Sequence, residues 1–252
     1  MIRQLLLKFN FHLLIYAVLY LKGKLTSSDI KVISNNPIAT TSDDHKFPVG
    51  TINDNFATKE FIEEYTRVFS KKSFLDLGCA GGQLVVSLNN LGITAVGIEG
   101  SSKCLVGRGR KNWYKLNHKI LFFSDITKEF FIMKHKKILK FDIIHAEEVL
   151  EHIHETDLTS TLRNIVEHMT NDSLLLLGIC KNSDKRFSHS ANIIDLHKSN
   201  LTLNRWEQIF ANHNLVPQRE MPTLKGSSGW PLVSSNRSDE TNSLFFGLRK
   251  KS

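Results

Sequence analysis

The chain has 252 residues, 41% of them hydrophobic and 23% charged, which is enough apolar material for one large domain with a full core and excludes a disordered, collagenous or polytopic membrane protein. Its three cysteines, Cys79, Cys104 and Cys180, sit beside apolar segments in no CxxC or metal-ligand spacing, so a reducing compartment, a cytoplasmic location and no disulfide framework are expected. The net charge of +8 gathers at the ends, in Arg3, Lys8, Lys22 and Lys24 with no acid in residues 1–25 and in Arg249, Lys250 and Lys251; the body between is nearly balanced and exerts no general pull on nucleic acid.

Residues 2–21 are rich in Leu, Ile, Phe and Tyr, but the unbroken apolar run, Leu13 to Leu21, is only nine residues long and cannot span a bilayer. Lys22, Gly23, Lys24 and Leu25 follow where the small residues of a signal cleavage site would stand. Residues 1–25 are therefore expected to form a helix packed on the body or on a partner, with peripheral contact to a membrane surface as the alternative. Residues 26–55, rich in Ser, Thr, Asn and Asp with Pro37, Pro48 and Gly50, read as an irregular linker. A domain follows over residues 56–252.

That domain opens on a helix carrying Phe61, Tyr65 and Val68. Short apolar runs at Phe74 to Leu77, Ala95 to Ile98, Ile120 to Phe123, Phe141 to Ala146 and Leu174 to Ile179 read as buried strands. Between them lie helical patterns, Leu84, Leu88 and Leu91 in one and Leu158, Leu162, Ile165 and Met169 in another. Arg108, Lys111, Lys115 and Lys119 recur at helical spacing, as a solvated face or a local phosphate patch. A last helix with Leu203, Trp206 and Phe210 precedes strands at Leu215 to Gln218 and Ser243 to Leu248, joined by a long linker. Alternating strands and helices specify an α/β fold, a mostly parallel sheet covered on both faces.

The most informative segment is Phe74-Leu75-Asp76-Leu77-Gly78-Cys79-Ala80-Gly81-Gly82-Gln83. A buried strand ends in an acid, then a small-residue turn opens a helix, so a cofactor can approach the backbone at a helix N-terminus. A dinucleotide would want GxGxxG, yet Ala80 takes the middle glycine, and Asp76 would repel a pyrophosphate. The ammonium and sulfonium of S-adenosylmethionine suit a carboxylate instead. Glu99, ending the second strand, offers two oxygens to vicinal ribose hydroxyls. Asp125 and Ile126, after the third, stand where an adenine amine and ring would lie, although a lone Asp125 also suits a turn.

Over residues 56–250 the chain resembles the class I S-adenosylmethionine-dependent methyltransferases. The matching residues are Asp76 to Gly82, Glu99, Asp125 and Phe141-Asp142-Ile143-Ile144. The resemblance implies a Rossmann-like seven-stranded sheet with an antiparallel last strand, supplied by Ser243 to Leu248. It implies cofactor contacts from Asp76, Gly78, Cys79, Ala80 and Gly81 to the methionine part, from Glu99 and Gly100 to the ribose, from Asp125 and Ile126 to the adenine, and from Ala146 and Glu147 beside them.

The acceptor side begins at Glu147-Glu148-Val149-Leu150-Glu151-His152-Ile153. Glu148, Glu151 and His152 stand at i, i+3 and i+4 and would share one face of a helical turn. Such a set could hold a divalent cation, Mg²⁺ or Mn²⁺, that lowers the pKa of an acceptor hydroxyl. The stretch is similar to the ExxEH segment of ubiquinone-pathway O-methyltransferases and of small-RNA 3′-terminal 2′-O-methyltransferases, where the resemblance implies a metal and a further histidine; His197 is the best match, His189 a weaker one. Two readings stay open beside the metal: His152 or His197 as general base, and two glutamates that only cap a helix. The metal-free form is the simpler, because such a set is common at helix ends.

The expected reaction is thus methyl transfer from S-adenosylmethionine to an oxygen, with nitrogen the less favoured target, on a small metabolite, sugar or lipid-linked intermediate. An RNA 2′-O-methyltransferase and a cofactor-binding but catalytically silent partner subunit are the alternatives.

Overall fold

The computed structural model describes residues 11–25, 28–48, 50–52, 73–187, 193–218 and 243–251. The helix expected around Phe61, the start of the domain at residue 56, His189 and the linker before Ser243 lie outside them. In chain order the elements are α1 (Phe11–Leu25), β1 (Ile30–Ser34), α2 (Asp43–Lys46), β2 (Ser73–Leu77), α3 (Gln83–Asn90), β3 (Thr94–Glu99), α4 (Arg110–Leu116), β4 (Leu121–Phe123), β5 (Phe130–Lys134), β6 (Lys137–Ile138), β7 (Phe141–Glu147), α5 (Glu155–Glu167), β8 (Met169–Cys180), β9 (Lys185–Phe187), β10 (Ile193–Asp195), α6 (Leu203–Asn212), β11 (Leu215–Pro217) and β12 (Ser243–Lys250), with 3₁₀ turns at Ser102–Val106 and Leu150–His152.

Seven strands form one sheet in the order β11-β12-β8-β7-β2-β3-β4. β4, β3, β2, β7 and β8 run parallel, and β12 is antiparallel to both β8 and β11. The chain enters at β2, winds outward to β4, then crosses to β7 and winds the other way. The crevice at the carboxyl ends of β2 and β7 is therefore the switch point where such sheets take ligands.

Strand side chains alternate between faces, and the apolar runs use both. Leu75, Leu77, Val96, Ile98, Ile144 and Leu175 pack with Leu158, Leu162 and Ile165 of α5 and Trp206 and Phe210 of α6. Phe74, Ala95, Ile143, Leu174 and Leu176 point to the opposite face, against Leu84, Val85 and Leu88 of α3 and Trp113 of α4. Burying a Leu or Phe in either layer is worth about 1.5–3 kcal/mol, so the two layers fix the strand ends that carry the polar groups.

Three expectations need correction. Residues 26–55 are not all irregular: β1 pairs antiparallel with β5, which also pairs β6. Ile30 is buried and Val32 packs on the core while Lys31 and Ile33 stay exposed, a period-2 pattern hidden among polar neighbours. Second, α4 covers only Arg110–Leu116, so Arg108 and Lys119 are exposed but stand outside the helix that was to align them. Third, Leu91 closes α3 as its C-cap and is half exposed instead of buried with Leu84 and Leu88.

α1 packs on the body. Ile15, Tyr16 and Leu19 face the α3 side of the core, and the Tyr16 ring meets Phe123 edge-on at 5.1 Å. His12, buried, places Nδ1 2.8 Å from Ser102 Oγ.

Candidate active site

The turn from β2 to α3 follows a path that only small residues allow. Gly78 has φ 70°, and a Cβ there would lie 2.5 Å from Cγ2 of Val149. Gly82, with φ 75°, caps α3. Between them Ala80 is also left-handed, at φ 45°, a conformation costing an L residue about 1–2 kcal/mol. It is held at both ends: its N–H donates to Glu99 Oε2 at 2.9 Å, and its carbonyl accepts from Trp113 Nε1 at 2.7 Å. Glu99 Oε1 accepts from Ser101 N at 2.8 Å. Backbone amides thus fix both oxygens of this buried carboxylate at the end of β3.

A cavity of about 660 Å³ opens at the carboxyl edge of the sheet, within the range that encloses a cofactor and part of an acceptor. Gly78, Ala80, Glu99, Gly100, Asp125, Ile126 and Glu147 line it. Asp76, Cys79, Gly81 and Ala146 are not among its lining residues. Cys79 and Ala146 are buried in the core, and the Gly81 carbonyl accepts from Asn112 Nδ2 at 3.0 Å. Asp125 accepts from the Thr127 amide and hydroxyl at 3.0 and 2.7 Å. It is at once a turn residue and part of the cavity wall.

Asp76 lies behind the wall, where its Oδ1 accepts from His145 Nδ1 at 2.8 Å. His145 Nε2 stands 3.9 Å from Glu147 Oε2. Burial disfavours the charged imidazole, but the hydrogen bond to Asp76 and the charges of Asp76 and Glu147 outweigh it and raise the pKa. Burial pushes Glu147 up to about 7, opposed by His145 and reinforced by Glu148, Asp76 and Glu151.

Glu148, His152 and His197 line the same cavity from the other side. Glu148 does not share a helical turn with Glu151 and His152: its φ is 51°, Val149 is only the cap that precedes the turn, and the 3₁₀ turn begins at Leu150. Nor do the glutamates cap α5, whose N-cap is His154. Glu151, fully buried, turns inward and accepts from Cys180 N at 2.6 Å through Oε1, while Oε2 is buried with no hydrogen-bond partner among the described residues. Burial raises this carboxyl to about 7 against the pull of His152 and the Cys180 amide.

Ligand atoms of Glu151, His152 and His197 lie within 4.8 Å of one another, and Glu148 does not join that cluster. The two imidazoles meet edge to face at 4.7 Å. His197 donates from Nδ1 to the Asn182 carbonyl, leaving Nε2 with the lone pair in the neutral ring.

In the lining of the cavity Lys198 Nζ reaches Asp43 Oδ2 at 2.6 Å, and Lys46 reaches Oδ1 of the same carboxylate at 3.1 Å. This joins α2 to the segment after β10. Sequence reasoning missed this bridge, Trp113 and His145. Only His145 left a signal, as an imidazole inside a buried strand.

The profile of the methyltransferase domain family matches residues 54–230. A ubiquinone biosynthesis O-methyltransferase of Glaesserella parasuis serovar 5 (strain SH0165) is 29% identical over 130 residues, 50% of this chain and 53% of that protein, so the match spans about half its length. In fold the chain is similar to an S-adenosylmethionine-dependent methyltransferase from Clostridium acetobutylicum ATCC 824 (TM-score 0.54, 14% identity, 76% of this chain and 90% of that one). It is also similar to DhpI, solved as a complex with S-adenosylhomocysteine (TM-score 0.52, 10% identity, 76% and 83%).

Proposed function

Since the chain belongs to the methyltransferase domain family, in the class I S-adenosylmethionine-dependent group, we propose that it transfers the sulfonium methyl to an oxygen of a small metabolite, sugar or lipid-linked intermediate. The observation that carries this reading is the shared cavity: Glu99 and Asp125 on one wall, His152 and His197 on the other. Glu99 would take the ribose, Asp125 and Ile126 the adenine, and the Gly78–Ala80 backbone the methionine part. Asp76 would act from behind the wall by holding His145. A bound sulfonium and ammonium would favour the ionised form of Glu147.

The reaction needs no covalent intermediate on the protein. A lone pair of the acceptor oxygen forms the new C–O bond as the C–S electrons return to sulfur, and the hydroxyl proton leaves for a base. His197, its ring fixed by Asn182, and His152 beside it are the groups suited to receive that proton. Holding oxygen, methyl and sulfur in line and away from water supplies most of the acceleration.

A metal-assisted form has a specific observation behind it. Glu151 Oε2 and an imidazole nitrogen each from His152 and His197 would offer a divalent cation one oxygen and two nitrogens, a set that suits a transition ion such as Mn²⁺ better than Mg²⁺. When bound, such an ion polarises the acceptor oxygen. Glu148, expected as a ligand, stands outside the cluster.

Labelled-methyl transfer into fractionated small-molecule, lipid, RNA and protein pools tests the proposal, together with calorimetric titration. Label should enter the small-molecule or lipid pool, and S-adenosylmethionine should bind where NAD does not. Tight cofactor binding with no label in any pool would overturn it in favour of a silent subunit; label confined to RNA would overturn the acceptor class.

A further inference from the structure

A helix apolar all round is ordinarily buried all round. α1 breaks that rule. Its inner side is occupied by the body through His12, Ile15, Tyr16 and Leu19. On its outer side Leu14, Val18 and Leu21 are 60%, 56% and 63% exposed and, with Phe11, follow one another at helical spacing of three and four residues. No described residue covers them. A continuous apolar stripe of this kind marks an interaction surface.

The charge of this part of the sequence and of the neighbouring helix identifies the partner. Residues 1–25 carry four bases, Arg3, Lys8, Lys22 and Lys24, and no acid, and of these Lys22 is exposed on α1. α4 is the neighbour of α1: both pack on the 3₁₀ turn Ser102–Val106, and Trp113 of α4 stacks on the same Phe123 that Tyr16 meets. Arg108, Arg110, Lys111, Lys115 and Lys119 in and around α4 are all exposed. A second copy of this chain would set like charge against like charge, and a nucleic acid would have no use for the apolar stripe. A surface with acyl chains beneath anionic headgroups matches both features. No described helix is long and apolar enough to cross a membrane, so the contact lies along the surface.

We propose that α1 and the basic residues at α4 dock the protein on an anionic lipid bilayer, with the Leu14–Leu21 stripe entering the headgroup boundary. This stands apart from the choice of acceptor. The test is co-sedimentation of the full chain with phosphatidylcholine vesicles and with phosphatidylcholine/phosphatidylglycerol vesicles, at low and high salt. Binding should require the anionic lipid and weaken with salt. Leu14→Asp/Val18→Asp, at exposed positions, should lower it about tenfold or more while calorimetric S-adenosylmethionine binding is kept, which shows that the variant is folded; Lys22→Glu/Lys24→Glu should lower it less. Equal partition into both vesicle types, or unchanged binding of Leu14→Asp/Val18→Asp, would overturn the proposal. So would a dimer in sedimentation velocity that the apolar variant dissolves, or RNA binding with no vesicle binding.

Discussion

The two walls of the cavity are built in different ways. The cofactor wall is made of strand ends and one tight turn. Glu99 is clamped by the amides of Ala80 and Ser101, and Ala80 is held strained between Glu99 and Trp113. The acceptor wall is made of short segments, a 3₁₀ turn, a left-handed Glu148 and loops joined by the Asp43–Lys198 pair. The first is preorganised by the sheet and by hydrogen bonds between its backbone and the buried Glu99 and Trp113 side chains. The second rests on irregular backbone and on a pair between loops, and so it can differ between proteins that share the first.

The largest effect should come from Glu151, the buried carboxyl behind the acceptor wall. Glu151→Gln keeps an oxygen for the Cys180 amide but removes the group that can ionise beside His152 and His197. Turnover should fall about 100-fold or more, with S-adenosylmethionine affinity changed less than about twofold. A chelator should reproduce the loss and Mn²⁺ or Mg²⁺ reverse it if the cluster holds a cation. If chelation does nothing and only one histidine variant is inactive, the cluster works as a base. Equal loss of cofactor affinity would erase the distinction between the walls.

On the cofactor wall, Glu99→Ala should weaken S-adenosylmethionine binding by about 1.5–3 kcal/mol, read by calorimetry, as hydrogen bonds to a charged group are lost. It should also lower stability, because the Ala80 and Ser101 amides lose their acceptor. Unchanged affinity would mean that the carboxylate serves the turn alone.

This difference also decides what was legible in the sequence. The glycine turn, Glu99 and Asp125 stand at fixed offsets from buried strands, so the short apolar runs that marked the five parallel strands also brought these residues to the carboxyl edge of the sheet. The behaviour of Asp76 was not legible, because its partner His145 is 69 residues away and meets it only through β2–β7 pairing. Spacing put Glu148, Glu151 and His152 on one helical turn; the positive φ at Glu148 is a backbone choice that no apolar period reports. The Asp43–Lys198 pair joins residues 155 apart in polar stretches, where composition reads only as loop. β1 was missed for the same reason, two inward residues in a polar segment.

A smaller effect ties the amino-terminal helix to the cofactor wall. His12 contacts Ser102, the residue next to the clamp at Ser101, and its pKa is pushed down to about 4, first by burial and then by Lys103 and His45. An unfolded histidine titrates near 6.5. Between these values the unfolded chain binds the additional proton, so stability present above pH 6.5 is lost as pH falls toward 4, by about 2 kcal/mol after allowance for solvent screening. Denaturant midpoints measured across that window should slope in the wild type and slope less in His12→Gln. Equal slopes would detach α1 from the wall it covers.

The smallest effect tests whether the acceptor wall closes through one ion pair. Asp43 accepts from Lys198 and Lys46; burial raises the Asp43 pKa, but the two lysines more than offset it and hold it below the usual carboxylate value. Both members of the Asp43–Lys198 pair are partly buried, so its coupling should sit near the upper end of the range for surface pairs, about 1 kcal/mol. In a double-mutant cycle, Asp43→Asn and Lys198→Met should each raise the acceptor KM severalfold, and the double variant should be little worse than either single one. S-adenosylmethionine affinity should stay level in all three, since neither residue reaches the clamp around Glu99. If both affinities shift together, α2 holds the whole cavity and the two walls are one device; if neither moves, Lys46 alone keeps Asp43 in place.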